Sequence, residues 1–210
     1  MWDKVWKILG VTFLVTILLG CINSNGLVSK YLLSTPSNEQ TEKIIVGIPL
    51  VLSISGSSAR LNDQWMVTAA HNKNILSILD YEAYYHPTCD IALYKKEGKS
   101  ENVKGNYYVG TELWHVGYPL GLGKVSSSGE FLGIVYVPTD ECVYGSSTSD
   151  TVGGMSGGGV YTRGGSLVGV TIGYLTETLT YSNGKVYDSP TVFAQISQYQ
   201  DWIDSIIQNN

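Results

Sequence analysis

Residues 65–71 read Trp65-Met66-Val67-Thr68-Ala69-Ala70-His71, a short run rich in residues that suit a pleated surface and ending on a histidine. Outward from it, Asp90-Ile91-Ala92-Leu93 sets an aspartate at the head of a second such run. Gly153-Gly154-Met155-Ser156-Gly157-Gly158-Gly159 sets a serine inside a glycine-rich turn. Comparable runs cover residues 44–54, 65–70, 75–85, 91–94, 107–116, 130–137, 159–161, 167–174 and 185–193. Gly98, Gly121-Leu122-Gly123, Gly164-Gly165 and Asn183-Gly184 separate them. Short runs divided by turn residues predict an all-β sandwich or barrels. Only the end departs: Val192, Phe193, Ile196, Tyr199, Ile203 and Ile206 recur at three- and four-residue steps, the period of an amphipathic C-terminal helix.

The composition agrees. Of 210 residues, 43% are hydrophobic and 15% charged, with 24 Gly and 15 Tyr, which excludes a disordered tail, a coiled coil and a collagen-like repeat. The length is ample for a buried core. A net charge of −5 and a pI of about 5.1 offer no clustered cations for a nucleic-acid partner.

Lys4 and Lys7 precede 12 residues, 8–19, that are apolar apart from two threonines, the layout of an export signal. A helix that spans a bilayer needs about 20 apolar residues, so this run is short for that purpose. It ends in Leu18-Leu19-Gly20-Cys21, which resembles the bacterial lipobox. The resemblance implies that Cys21 receives a diacylglycerol lipid and becomes the first residue after cleavage. An ordinary cleaved secretion signal and a retained anchor are the alternatives. Residues 1–20 then form the signal peptide. Residues 21–43, rich in Ser, Asn, Thr and Glu with Pro36, form a lipidated N-terminus and flexible tether, and residues 44–210 the folded domain. The expected location is the bacterial cell envelope as a lipoprotein, otherwise the periplasm or outside the cell. Export would permit a Cys89–Cys142 disulfide; the competing reading makes Cys89 a packed free side chain within a strand.

The histidine, aspartate and serine segments, in that order, resemble the motifs of a trypsin/chymotrypsin-fold serine peptidase. Val168-Gly169-Val170-Thr171-Ile172-Gly173 is similar to the strand lining the family's substrate cleft. Pro190-Thr191-Val192-Phe193, running into Asp201-Trp202-Ile203, resembles the closing strand and C-terminal helix. Tyr118-Pro119-Leu120-Gly121 looks more like the Glu-specific and HtrA-type bacterial branches. The resemblance implies two six-stranded-type antiparallel β-barrels, the first trimmed, and a C-terminal α-helix. It implies a serine endopeptidase acting on protein or peptide without a metal or organic cofactor. His71, Asp90 and Ser156 would form the triad, Gly154 and Ser156 the oxyanion hole, and Asp150, Thr151, Thr171 and Gly173 the border of the primary pocket.

The chemistry explains why these residue types belong together. A serine hydroxyl is a poor nucleophile at neutral pH and needs a neighbouring base, for which histidine is suited. A carboxylate on the other imidazole nitrogen holds the tautomer and stabilises the imidazolium. Glycines allow the sharp turn that aims backbone N–H groups at an oxyanion. Read singly, His71 suits a structural strand end, Asp90 a solvated one and Ser156 a polar turn. Asp80 is the rival acid, and His86 and His115 read as surface or packing residues. Asp150 is either a pocket acid selecting Lys or Arg, or a solvated loop carboxylate, with an acidic or small-residue preference as the remaining alternative.

Two features depart from the family. Only 19 positions separate His71 from Asp90, which predicts a lost hairpin or tight turns in the first barrel. Met155 stands where animal trypsins carry the acid that receives a new N-terminal amine. Cleavage at Lys43-Ile44-Ile45-Val46-Gly47 is therefore not expected to activate the protein. An ester-selective enzyme or a catalytically silent binding protein on the same scaffold is the alternative function.

Overall fold

The computed structural model describes residues 24–26, 39–49, 52–101 and 105–210. The expected signal, Cys21 and most of the expected tether lie outside the described residues.

The first unit comprises β1 (Thr41–Ile48), β2 (Leu52–Arg60), β3 (Trp65–Thr68), helix α1 (Lys73–Ile78), β4 (Ala83–Tyr85) and β5 (Ala92–Lys95). Its strands pair antiparallel in the order β1-β2-β3-β5-β4. The second unit comprises β6 (Glu112–Gly117), β7 (Val125–Val137), β8 (Cys142–Ser147), β9 (Gly159–Thr162), β10 (Leu167–Tyr174) and β13 (Thr191–Gln195). These close into a barrel in the order β10-β13-β8-β7-β6-β9. A separate hairpin, β11 (Thr178–Thr180) with β12 (Val186–Asp188), lies between β10 and β13 in the chain, and α2 (Gln200–Asn209) ends it. This is the chymotrypsin-like architecture, with the first barrel reduced to a five-stranded sheet and the second closed.

Burial follows the docking of the two units. Along β2 the outer end is open, with Leu52 81% exposed, while Ser57 through Arg60 are buried. Between the units runs a shared core. Trp65, Val67, Ile91 and Leu93 from the first meet Tyr144, Val170 and Val192 from the second, and Tyr199 and Ile203 cap the cluster from the C-terminal segment. Each such side chain contributes about 1.5–3 kcal/mol on burial, so docking is an apolar association first. Cys89 and Cys142 form a disulfide across this core, with their Cα atoms 5.6 Å apart.

Several local expectations are corrected. Residues 75–85, expected as a strand, form α1 and the short β4. Their apolar residues come in adjacent pairs, Ile75-Leu76 and Ile78-Leu79, which suits one face of a helical turn better than strict alternation. Ile75 and Leu76 pack on Ile44, Met66 and Tyr94. This helix and strand fill the short span between His71 and Asp90. Cys89 lies in a bend rather than a strand. Residues 107–111 are not strand, whereas β7 reaches back to Val125. The C-terminal helix starts at Gln200, after a 3-10 turn over Ile196–Tyr199, while Val192 and Phe193 belong to β13. Thr41 to Lys43, read as tether, open β1. Ile44 is buried mid-strand and pairs with Gly56, so a cut before it would divide β1.

Candidate active site

Strand β3 ends at Thr68, whose hydroxyl donates to the Ser57 carbonyl at 2.7 Å. A 3-10 turn, Ala70–Asn72, follows and is closed by Asn72 N–H on the Ala69 carbonyl. The turn leaves the His71 ring 47% exposed while Asn72 is buried beside it. The Asp90 carboxylate takes both hydrogen bonds that His71 offers. Oδ1 accepts the backbone N–H at 2.8 Å and Oδ2 contacts ring Nδ1 at 2.6 Å. A carboxylate so placed favours the tautomer that carries its proton on Nδ1. Asp90 is itself held from the second barrel. Its N–H donates to the Tyr144 hydroxyl at 3.0 Å, and Tyr144 donates to Asp140 Oδ2 at 2.6 Å. Burial, with that bond to Asp140, pushes the Tyr144 phenol up and keeps it a neutral donor. Asp80, the rival acid, is exposed at the end of α1.

Ser156 sits in the turn between Val152 and β9. Its hydroxyl donates to the Ile172 carbonyl at 3.0 Å, and among the described residues it makes no hydrogen bond to His71. Its carbonyl is pinned from the first barrel by Ser57 N–H at 2.9 Å and Asn72 Nδ2 at 3.1 Å. The peptides on either side are fixed by their oxygens. Leu120 N–H donates to the Gly153 carbonyl at 2.8 Å and Gly158 N–H to the Met155 carbonyl at 2.9 Å. In a trans peptide C=O and N–H point in opposite directions, so these anchors turn the N–H groups of Gly154 and Ser156 away from the protein bonds. Neither has a backbone acceptor among the described residues. Gly154 is required as glycine, because its φ is +93° and a Cβ would lie 2.6 Å from the Tyr118 carbonyl oxygen. Met155 is buried against Val125 and Val152, an apolar contact where trypsins need a charge.

The remaining predicted residues fall around this turn. Thr171 pairs with it through the backbone, accepting from Gly157 N–H at 2.7 Å and donating to Gly158 at 2.8 Å. The Thr171 side chain, however, is turned into the second barrel, where its hydroxyl meets His115 Nδ1 at 2.9 Å. An added Cβ at Gly173 would meet nothing within 4 Å, so the strand there borders open space. Asp150 is half-buried, with its N–H donating to Ser127 Oγ at 2.9 Å. Thr151 is buried, and residues 24–26 lie against it: Ser24 bridges Val152, and Asn25 Oδ1 accepts the Thr151 N–H at 2.7 Å.

His115 is the main residue that motif reading placed only as packing. Fully buried, it links Thr171 to Ser147, whose hydroxyl is 2.9 Å from Nε2, and Ser147 continues to Ser149 at 2.6 Å. Desolvation lowers its pKa to about 3, so it is a neutral imidazole. Its signal was alternation: Leu113 and His115 share the inward face of β6. Asn72, Tyr144 and Asn25 carried no motif. His86 packs edge-on against Tyr199 and Trp202, each at 5.3 Å, as a packing histidine should.

The sequence matches no protein-family model and no curated protein. Solved structures do resemble it. The HtrA-type protease AlgW, in a serine-to-alanine form with a tripeptide, superposes with a TM-score of 0.60 at 14% identity over 81% of this chain and 60% of that one. The inactive form of a serine-to-alanine mutant of Rv3671c from M. tuberculosis H37Rv gives 0.55 at 15% identity, over 80% and 86%. The protease domain of MamO from Magnetospirillum magneticum gives 0.54 at 14%, over 78% and 95%. At these identities the likeness establishes the fold, which is that of HtrA-type and trypsin-like serine proteases. The chain spans less than two thirds of AlgW.

Proposed function

We propose that this chain is a serine endopeptidase using Ser156 as nucleophile, His71 as base and Asp90 as the orienting acid. The observation that carries the reading is the double hydrogen bond from His71 to Asp90, set in the same molecule as a nucleophile turn with two uncommitted N–H groups. In turnover the Ser156 hydroxyl swings from the Ile172 carbonyl to Nε2 of His71 and gives up its proton as Oγ attacks the substrate carbonyl carbon. The oxyanion takes the N–H groups of Gly154 and Ser156, and Asp90 stabilises the imidazolium. His71 then protonates the leaving amine, and water repeats the sequence on the acyl-enzyme. A peptide-bound neighbour of the same fold supports a peptide substrate.

The specificity reading keeps Asp150, Thr151 and Gly173 at the pocket border, with Asp150 as the candidate partner for Lys or Arg. A peptide-library digest in which cleavage after Lys and Arg disappears in Asp150→Asn supports it. Export and lipidation of Cys21 complete the proposal. Since Cys21 stands four positions before Asn25, a lipid there would lie within about 14 Å of the docked segment, holding the domain close to the membrane. Release from membranes by Cys21→Ser tests this.

One observation favours a catalytically silent scaffold, namely that the Ser156 hydroxyl is bonded to Ile172 rather than His71. Labelling with a fluorophosphonate decides. Labelling that is lost in Ser156→Ala supports the peptidase, and an unlabelled folded protein supports the silent scaffold.

A further inference from the structure

Asn25 lies 126 positions before Thr151, yet it is tied to both backbone polar groups of that residue and to a second segment as well. Its Oδ1 accepts the Thr151 N–H at 2.7 Å, and its own N–H donates to the Thr151 carbonyl at 3.3 Å. Its Nδ2 donates to the Ser189 carbonyl at 2.8 Å and to Thr191 Oγ1 at 3.0 Å. Thr191 Oγ1 in turn donates to the Ser149 carbonyl at 2.5 Å, closing a ring of bonds around residues 149–151 and 189–191. Thr151 and Thr191 are buried, so the groups that Asn25 satisfies on those two residues have little access to water. Ser189 holds a φ of +50°, a left-handed conformation costly for a side-chain-bearing residue, and Asn25 bonds that residue's carbonyl. Gly26 approaches so closely that a Cβ would fall 2.1 Å from the Asp150 carboxyl carbon. A passive linker has no reason to pair with both segments.

We infer that Asn25 is a positioning residue for the catalytic site. It clamps residues 149–152 to residues 189–191 and so fixes the segment that leads into Gly154 and Ser156. The inference rests on the peptidase reading for its functional consequence, because that reading makes residues 150–151 a wall of the primary pocket. The clamp itself is a matter of geometry. An amide is suited to it, since one side chain supplies both the acceptor that Thr151 needs and the donors that Ser189 and Thr191 accept from. Removing it leaves the buried Thr151 N–H without an acceptor. The stretch just after the proposed lipidation site is then part of the enzyme's working surface.

The test uses the full-length chain in detergent, as wild type, Asn25→Ala and Asn25→Asp. Amide hydrogen exchange is read at residues 149–156 and 188–191, with strands of the first barrel as the internal reference. Fluorophosphonate labelling rate at Ser156 is read in parallel. In Asn25→Ala, exchange at residues 149–156 and 188–191 should accelerate about tenfold, and labelling should slow by about as much, while reference amides keep their protection. Asn25→Asp retains the acceptor but not the donors, so Thr151 should stay protected while residues 188–191 exchange faster. Unchanged exchange in both segments overturns the clamp. Faster labelling overturns it too, since the segment would then be occluding the pocket. If Asn25→Ala also exposes the reference amides, the Asp variant decides: the split pattern supports the clamp and uniform exchange defeats it. A wild-type chain that never labels defeats the peptidase reading but leaves the exchange result fully readable.

Discussion

The first barrel is an open sheet centred on an apolar cluster of Ile44, Met66, Ile75, Leu76 and Tyr94, whereas the second closes on itself and buries a polar line from Thr171 through His115 to Ser147 and Ser149. Closure gives every strand of the second barrel a partner on each side, and side chains reach the backbone groups left over, as Ser146 Oγ does the Gly133 carbonyl at 2.8 Å. Other inward hydroxyls pair with one another and with a neutral imidazole. The first barrel also buries polar groups, Ser58 with Tyr94 at 2.7 Å inside and Arg60 at the end of β2. Arg60 is buried but bonded to Glu42 at 3.0 Å, and Lys96 reaches the same carboxylate. Burial raises the Glu42 pKa, but the hydrogen bonds and charges of Lys96 and Arg60 outweigh it and hold the carboxyl below its ordinary range. The comparison teaches a division of roles. The first barrel carries His71 and Asp90, the second carries Ser156 and residues 150–151, and hydrogen bonds between the barrels link these segments.

The comparison can be broken most forcefully by mutating the proposed triad across the interface. Ser156→Ala and His71→Ala should each lower kcat by at least about 10⁴-fold, with the double variant losing little more, because groups acting as a unit are not additive. Multiplying losses in a peptide-cleavage assay would mean that the barrels contribute independently.

Docking of the barrels is the next target. The disulfide ties the bend before Asp90 to β8, closing a separation of 53 residues. Replacing both Cys89 and Cys142 with Ser should cost about 2–4 kcal/mol, read by denaturant unfolding. An unchanged midpoint would show that the apolar core alone sets the docking.

The polar interior of the second barrel can be sharpened by acid. The pKa of His115 is lowered from 6.5 to about 3 by burial, so below pH 6.5 the unfolded chain binds a proton that the folded chain refuses. Stability associated with a neutral His115 is present above pH 6.5 and is lost as the pH falls toward 3. The slope is about 1.4 kcal/mol per pH unit within that window, or about 2 kcal/mol by pH 5. His115→Gln should flatten the profile measured by urea titration between pH 7 and 5, and an equally steep profile would place the acid sensitivity elsewhere. The smallest effect belongs to the apolar barrel. Tyr94→Phe removes a bond to Ser58 Oγ at 2.7 Å and should cost about 1 kcal/mol in thermal unfolding. A larger loss would mean that polar satisfaction matters as much there as in the closed barrel.

Legibility in the sequence followed the range of the signal. The strands of residues 65–68 and 167–174, the turn around Ser156 and the order of His71, Asp90 and Ser156 were all readable, because each is a contiguous pattern in which neighbours along the chain decide the conformation. The reading failed at residues 75–85, where short apolar pairs fit a strand or a helix locally and packing on Met66 and Tyr94 settled the choice. Nothing in the sequence showed that the Thr171 hydroxyl turns into the second barrel toward His115.

The amino-acid sequence by itself determined the all-β class, the motif order and the absence of an acid at Met155, since residue identity and short-range periodicity carry all three. Only the tertiary structure decided that Asp90 is held by Tyr144, 54 positions away, that Asn72 reaches the Ser156 carbonyl across 84, and that Asn25 reaches Thr151 across 126. Such pairs leave no periodic trace. They arise because closing one barrel and docking the other removes water from polar groups distant in sequence, and those groups must then find one another.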